Sequence, residues 1–366
     1  MLVNCQGLDL SEAFLRVSKA ISNKITNPIL EGIKIVAEDG TLTMSATDTE
    51  LSIEKKIKAD VKIEGETVVP GRFITEFVKK LTNSEIELSV NEKNQLVIKY
   101  EDSQSMIQCY NPIEYPGFKK IETEEYFGIA KKDFKTCVNK SIFSVATDDS
   151  RPILKGVLFD IDKNELSAVA LDGYRLARIK KKIVSNIKKS IVVPARSLSE
   201  LSKLIDDGDD MINIYIDSYT IMVDLGDTKV TSRLLEGDYI NYKQIIPMNY
   251  ETFVIINKEQ FEESLERATL LSKTSQNNFV KFDIKENNIC ITSNSDLGNI
   301  KENIPATVSG KDLVISFNPR YFLEALRVNT NEFVKVCFNQ PSTPCVIVPT
   351  EEDEFLYLIL PVRVIG

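Results

Sequence analysis

The chain of 366 residues is 43% hydrophobic and 27% charged, an ordinary balance for a globular protein with room for two or three domains. Its formal charge of −9, averaged over the surface, argues against a nucleic-acid partner. The absence of His removes the commonest general base and metal ligand, and no two of the six cysteines form a C-x-x-C pair, so no metal or other cofactor is expected.

The first repeat opens on a strand, Leu2 to Cys5, followed by a helix from Leu10 to Ser22 with Asp9 or Ser11 as N-cap. Phe14, Val17 and Ile21 lie at helical spacing on one face. Paired strands follow, then Thr67 to Val69, a Pro70-Gly71 break and a second helix from Arg72 to Leu81, whose apolar stripe is read as Phe73, Phe77 and Leu81. Three alternating strands, Ile86–Val90, Leu96–Tyr100 and Ser105–Tyr110, close the unit. Asn111 to Glu125, with two prolines, a glycine and a run of acids, reads as a linker, as does Glu236 to Asn249. Helices are expected near 132–143 and 196–205 in the second unit, and near 258–271 and 319–328 in the third.

Arg151 to Arg178 reads as two strands with a polar turn between them, the second running from Leu166 to a break at Asp172-Gly173, with Tyr174, Arg175 and Leu176 directly after it. The stretch occurs three times. Pro28 to Ile35 matches Pro152 to Phe159, and a third copy starts at Phe279. Asp48, Asp172 and Asp296 are 124 residues apart, and so are Arg72, Arg196 and Arg320. That period is domain-sized, well above the roughly 20–50 residues of a solenoid repeat. One fold is therefore used three times, over 1–121, 126–247 and 248–366. One acid per repeat at the same place reads as structural rather than catalytic. No phosphate-binding or nucleophile-elbow motif occurs, although carboxylates are numerous enough for a Mg²⁺ enzyme to stay open as an alternative. Buried free thiols, no leader segment and no bilayer-length apolar run lead to the expectation of a cytosolic protein.

The charge is unevenly spread. The six helical segments with their flanks hold 17 Lys and Arg against 9 Asp and Glu, in a chain that is acidic overall. A basic helical surface would attract a phosphate backbone without reading its sequence. No recognition helix dense in Arg, Asn and Gln is present for base readout.

The three tandem copies, the RPIL start at Arg151, the DGYRLA block at Asp172–Ala177 and the LPVR at Leu360–Arg363 resemble the bacterial DNA polymerase III β sliding clamps. The resemblance covers the whole chain. It implies an α+β protein of three clamp domains, each with two helices packed on antiparallel sheet, and a head-to-tail homodimer forming a six-domain ring around duplex DNA. It implies a processivity factor without a catalytic site that tethers the replicative polymerase, clamp loader and repair proteins. A clamp-fold scaffold that recruits proteins without encircling DNA is the alternative.

The resemblance also implies a groove for short peptides containing Gln, Leu and Phe, lined here by Leu154, Gly173, Tyr174, Arg175, Leu176, Gln244, Ile245, Asn318, Tyr321, Pro344, Leu360, Pro361, Val362 and Arg363. Leu171, Tyr174, Ile240 and Gln244 depart from the family's usual Thr, His, Pro and Arg. Lys24, Arg72, Lys79, Arg151, Arg196 and Lys203 would face DNA. Met106, Ile107, Leu270 and Leu271 would meet at the dimer interface.

Overall fold

The computed structural model describes residues 1–21, 27–118, 121–185, 187–272, 279–351 and 353–363. Among them are six α-helices: α1 (Gly7–Val17), α2 (Gly71–Val78), α3 (Lys131–Ser141), α4 (Ala195–Leu204), α5 (Lys258–Ser272) and α6 (Pro319–Arg327). Strand pairing is antiparallel, as in Gly32–Glu38 against Thr41–Thr47 and Gly156–Asp162 against Glu165–Leu171.

The chain divides into two compact units, Met1–Lys131 with Arg196–Leu234, and Lys132–Ala195 with Leu235–Gly366. The middle repeat is thus shared, and each unit contains one junction between repeats. In the first unit, Thr228–Arg233 from the middle repeat pairs with Leu51–Lys58 from the first. In the second, Phe355–Ile359 from the last repeat pairs with Arg175–Lys182 from the middle one. Each junction is therefore continuous sheet, held by backbone hydrogen bonds that no loop movement can release.

Apolar faces account for the packing. Leu51, Ile53 and Ile57 alternate inward along their strand. In α3, Phe134, Cys137, Val138 and Ser141 are buried at the i, i+3, i+4, i+7 spacing of one helix face. In the third repeat Phe282 and Phe322 lie 5.2 Å apart by ring centroid, and Phe317 and Phe322 5.0 Å apart, an edge-to-face aromatic core. All six cysteines are free, and burial pushes the Cys5 and Cys137 thiols up to about 12, so both stay protonated.

Three expectations need correction. The first helix starts at Gly7, not Leu10, and its cap position is Gln6 with no side-chain cap. The Gly7 N–H instead donates to the Ser84 carbonyl at 2.9 Å, and a Cβ there would fall 1.9 Å from the Leu81 oxygen, so glycine alone permits this early start. The buried stripe of α2 is Ile74 and Val78, continued by Leu81, while Phe73 is 58% exposed and stacks on Phe77. Both stripes are apolar at helical spacing, and pattern alone does not choose between them. Finally, Pro152–Lys155 forms a 3₁₀ turn and the strand begins only at Gly156. Proline at the first position of such a turn loses no hydrogen bond, since that N–H would be unpaired anyway.

Candidate functional site

The turn at Asp172 sets the frame of the second junction. Asp172 Oδ1 accepts the backbone N–H of Tyr174 at 2.9 Å and of Arg175 at 3.1 Å. Gly173 has φ of +92°, a conformation that costs other residues strain. Downstream, the Leu360 N–H donates to the Tyr174 carbonyl (2.9 Å) and the Val362 N–H to the Ser316 carbonyl (2.8 Å). The apolar tail is thus laid from the turn to the strand before α6, as far as Arg363. Val364, Ile365 and Gly366 lie outside the described residues.

Beneath this tail is an apolar floor. Leu154, Leu171, Leu176, Tyr242 and Leu358 are buried together, with Ile240, Ile246 and Leu360 packed against them. Of the predicted groove residues, Leu154, Leu176 and Leu360 fall in this cluster. Leu171 and Ile240, noticed in the sequence only as departures, belong to it too. Ile246 occupies the inward place in its segment, whereas Ile245 is 37% exposed. Tyr242, Leu358 and Val346 also belong to the cluster; the closing strand Phe355–Ile359 is buried at every position, so no alternation marks which of its residues face the cluster. The linker holding Tyr239 and Tyr242 is pinned by Tyr239 donating to the Val169 carbonyl (3.2 Å) and Tyr242 to Asp160 (2.8 Å).

The rim is aromatic and polar. Tyr174 is 62% exposed and stacks on Tyr321 with centroids 6.3 Å apart. Gln244 and Arg363 are exposed, and Pro344, Pro361 and Val362 are half-buried. Asn318 caps α6, its side-chain oxygen accepting the Arg320 N–H at 3.0 Å.

Arg175 is turned inward and only 7% exposed. Its Nε donates to Asp172 at 3.0 Å, Nη2 donates to the Phe143 carbonyl at 2.5 Å, and Nη1 pairs with Glu324. The guanidinium also lies 4.8 Å from the centre of the Tyr321 ring. Burial alone would raise the Glu324 carboxyl, but Arg175 and Arg320 outweigh it and hold the group below its ordinary value. Arg175 therefore ties the turn, α6 and Tyr321 together. Its guanidinium is buried in these contacts.

Arg72, Arg151 and Arg196 are exposed. Arg196 pairs with Asp48, Lys79 with Glu76, and Lys203 with Glu200 at 2.8 Å, so part of the helical charge is neutralised within the chain. Lys24 lies outside the described residues. Met106, on the edge strand Ser103–Gln108, is 57% exposed and Leu270 71% exposed; Ile107 is buried within its own repeat, and Leu271 is half-buried. Among the described residues, no three His, Cys, Asp or Glu side chains gather where one metal ion could join them, and no helix is long and apolar enough to cross a membrane.

Three repeats of two helices on antiparallel sheet, joined edge to edge, define a protein of the DNA-clamp class. Models of the N-terminal, central and C-terminal domains of the DNA polymerase III beta subunit match residues 1–119, 128–241 and 243–363. The Beta sliding clamp of Staphylococcus epidermidis is 34% identical over 356 residues, and that of Staphylococcus aureus 33% identical over 357, each alignment covering 94% of both chains. The DNA polymerase sliding clamp of Bacillus subtilis superposes with a TM-score of 0.96 at 33% identity, over 100% of this chain and 99% of that one. The beta subunit of Thermotoga maritima gives 0.93 at 29% identity, over 99% and 100%. The chain belongs to the DNA polymerase III beta subunit family, the beta sliding clamps.

Proposed function

We propose that two copies of this chain close into a ring of six clamp domains around duplex DNA and hold the replicative polymerase to it. Family membership along the whole chain carries this reading. The protein works as a processivity factor, with no bond made or broken. Topological linkage keeps a dissociated polymerase at high effective concentration beside its template. The wall of such a ring need be only mildly basic, because strong phosphate contacts would oppose sliding. The internal pairing of Lys79, Arg196 and Lys203 is consistent with that, and Arg72 and Arg151 are proposed as further DNA-facing cations.

The second-junction groove is proposed as the site where polymerase, clamp loader and repair proteins insert short peptides. Leu and Phe side chains would occupy the floor of Leu154, Leu171, Leu176 and Leu360, while a Gln would meet Asn318, Gln244 or Arg363 at the rim. Ring closure would use the edge strand bearing Met106 against the region of Leu270, since both side chains are exposed and apolar. The test is sedimentation over a range of concentrations. A species of twice the chain mass that survives dilution is expected, and Met106→Glu should shift it to monomer. A monomer at every concentration would contradict ring formation and leave a recruitment scaffold.

A further inference from the structure

The two junctions inside the chain follow one rule. Their turns match, Asp48 Oδ1 accepting the N–H groups of Glu50 (3.0 Å) and Leu51 (2.8 Å) as Asp172 Oδ1 accepts those of Tyr174 and Arg175. The strand after the turn pairs with the closing strand of the next repeat: Leu51 with Ser232 and Ile53 with Val230, then Arg175 with Ile359 and Ala177 with Tyr357. One backbone bond marks the register. Leu235 N–H donates to the Val192 carbonyl (2.9 Å) and Val362 N–H to that of Ser316 (2.8 Å), each three residues beyond Ser232 or Ile359. The first repeat has the same bond, Tyr110 N–H to the Val68 carbonyl (2.7 Å), which marks Ile107. Its closing strand, Ser103–Gln108, is the edge of its sheet. In the third repeat Ile304 faces Ile289 where Ile57 faces Leu42 in the first, so Gly298, Ile300 and Glu302 stand for Leu51, Ile53 and Lys55. From Gly298 to Pro305 this strand is paired on one side only among the described residues.

Ion pairs cross both internal junctions. At the first, Lys55 meets Asp227, the residue just before the closing strand, and Arg16, the tenth residue of α1, meets Asp206 at 3.8 Å. At the second, Arg175 meets Glu324, and Lys181 meets Glu354, again just before the closing strand. The counterparts at the two open edges do not complement one another. Asp102 stands for Asp227, Glu302 for Lys55, Thr82 for Asp206 and Arg267, the tenth residue of α5, for Arg16. Arg267 is folded back onto Glu302 of its own repeat, at 3.1 and 2.9 Å. Ser103–Gln108 carries no charged side chain. Both sides are apolar instead. Phe73 stacks on Phe77 (6.1 Å) and Phe77 meets Tyr100 edge-on (6.0 Å) in the first repeat. In the third, Ile300 lies on the open strand and the exposed Leu270 on α5, which packs against it.

We infer that a second copy supplies the missing strand, Ser103–Gln108 of one chain lying against Gly298–Glu302 of the other in the register of the internal junctions, and that this third junction closes with no ion pair across it. The inference rests on the ring proposed above. Ile107 would face Gly298, and Ser105 would face Ile300. The inward faces of both sheets then fall on one side, since Ser105 sits opposite Ile98 and Ile300 opposite Ser293, both buried. Phe77 and Tyr100 lie on that side, as does Leu270, and the closure is apolar. Asp102 comes beside Glu302, acid against acid. Salt weakens an attraction between opposite charges but relieves a repulsion, here between two chains of net charge −9. The ring should therefore stay closed in salt that strips its surface contacts with DNA.

Two measurements on the full-length protein test it. Ser105→Cys combined with Ile300→Cys places two thiols opposite each other on one face of the paired strands, and mild oxidation should link two chains. Ser105→Cys combined with Asn299→Cys places them on opposite faces and should not. The dimer dissociation constant, from fluorescence-detected sedimentation between about 0.05 and 0.5 M NaCl, should hold or fall as salt rises. Asp102→Lys supplies the missing partner of Glu302 at both junctions of the ring, and should lower the constant about fivefold in low salt with the gain lost in high salt. The inference is overturned if a dimer forms but only the control pair links, if the constant rises about tenfold across that salt range, or if Asp102→Lys weakens the dimer. A protein monomeric under every condition would contradict the ring itself, whereas a dimer that fails to link at Ser105 and Ile300 removes the register and leaves the ring. Melting curves of each variant establish that loss of the dimer is not loss of fold.

Discussion

The first and second junctions are built on the same turn and register, and they differ in what fills them. Where the second buries Leu171, Leu176 and Leu358, the first holds Thr47, Ser52 and Thr231. Where the second buries an arginine bonded to two acids and a carbonyl, the first places Leu51, with Asp48 reaching across to Arg196 instead. The backbone thus repeats a joint, and the side chains give each joint its own chemistry. The ladder of backbone hydrogen bonds does not involve the side chains, so the lining could diverge while the ladder stayed the same.

The largest single loss should appear on deleting Arg175. Arg175→Ala leaves Asp172 and Glu324 half-buried with fewer partners and should destabilise the second unit by about 3 kcal/mol, read by urea unfolding. Leu51→Ala at the equivalent place removes only apolar contact and should cost about 2 kcal/mol. At the next strand position Leu176→Ala should cost about 2–3 kcal/mol for a buried leucine, and Ser52→Ala about 1 kcal/mol for its hydrogen bond to Thr47; equal losses would mean that the two floors are packed alike.

Backbone conformation separates the turns in sign. Gly173 sits at φ +92° and Thr49 at +79°. Gly173→Ala should destabilise by about 1 kcal/mol, whereas Thr49→Gly should be neutral or stabilising, because a β-branched residue at positive φ is strained. Smallest is the pH effect. Glu324 is held below its ordinary value of 4.5, so its contribution is complete above that pH and is lost as pH falls through the depressed value. Stability measured from pH 6 to 3 should fall less steeply in Glu324→Gln than in the wild type.

Much of this was legible in the sequence. The 124-residue spacing of Asp48, Asp172 and Asp296 revealed three repeats, and the first two acids cap equivalent turns. At the third, the Leu297 N–H bonds the Ser295 hydroxyl in the tight hairpin that joins Asn288–Ser295 to Gly298–Ser309. The inward turn of Arg175 could not be read, because Glu324 and Phe143 are distant in sequence and only the fold brings them to one guanidinium. The choice of Ile74 over Phe73 in α2 was hidden for a related reason, since both satisfy helical spacing and tertiary contact decides. The difference between the two joints escaped notice because Thr47, Ser52 and Thr231 are unremarkable until register matches them to leucines.

The most direct measurement is retention on DNA of two topologies. The protein, loaded or assembled onto a nicked circular duplex and onto the same duplex linearised with free ends, would be followed through gel filtration at raised salt. Encirclement predicts retention on the circle and loss from the linear form, because a ring slides off an end whatever its charge contacts. Equal loss from both, or equal retention, would mean that any association is by surface contact, and the account of this chain as a closed clamp would be wrong.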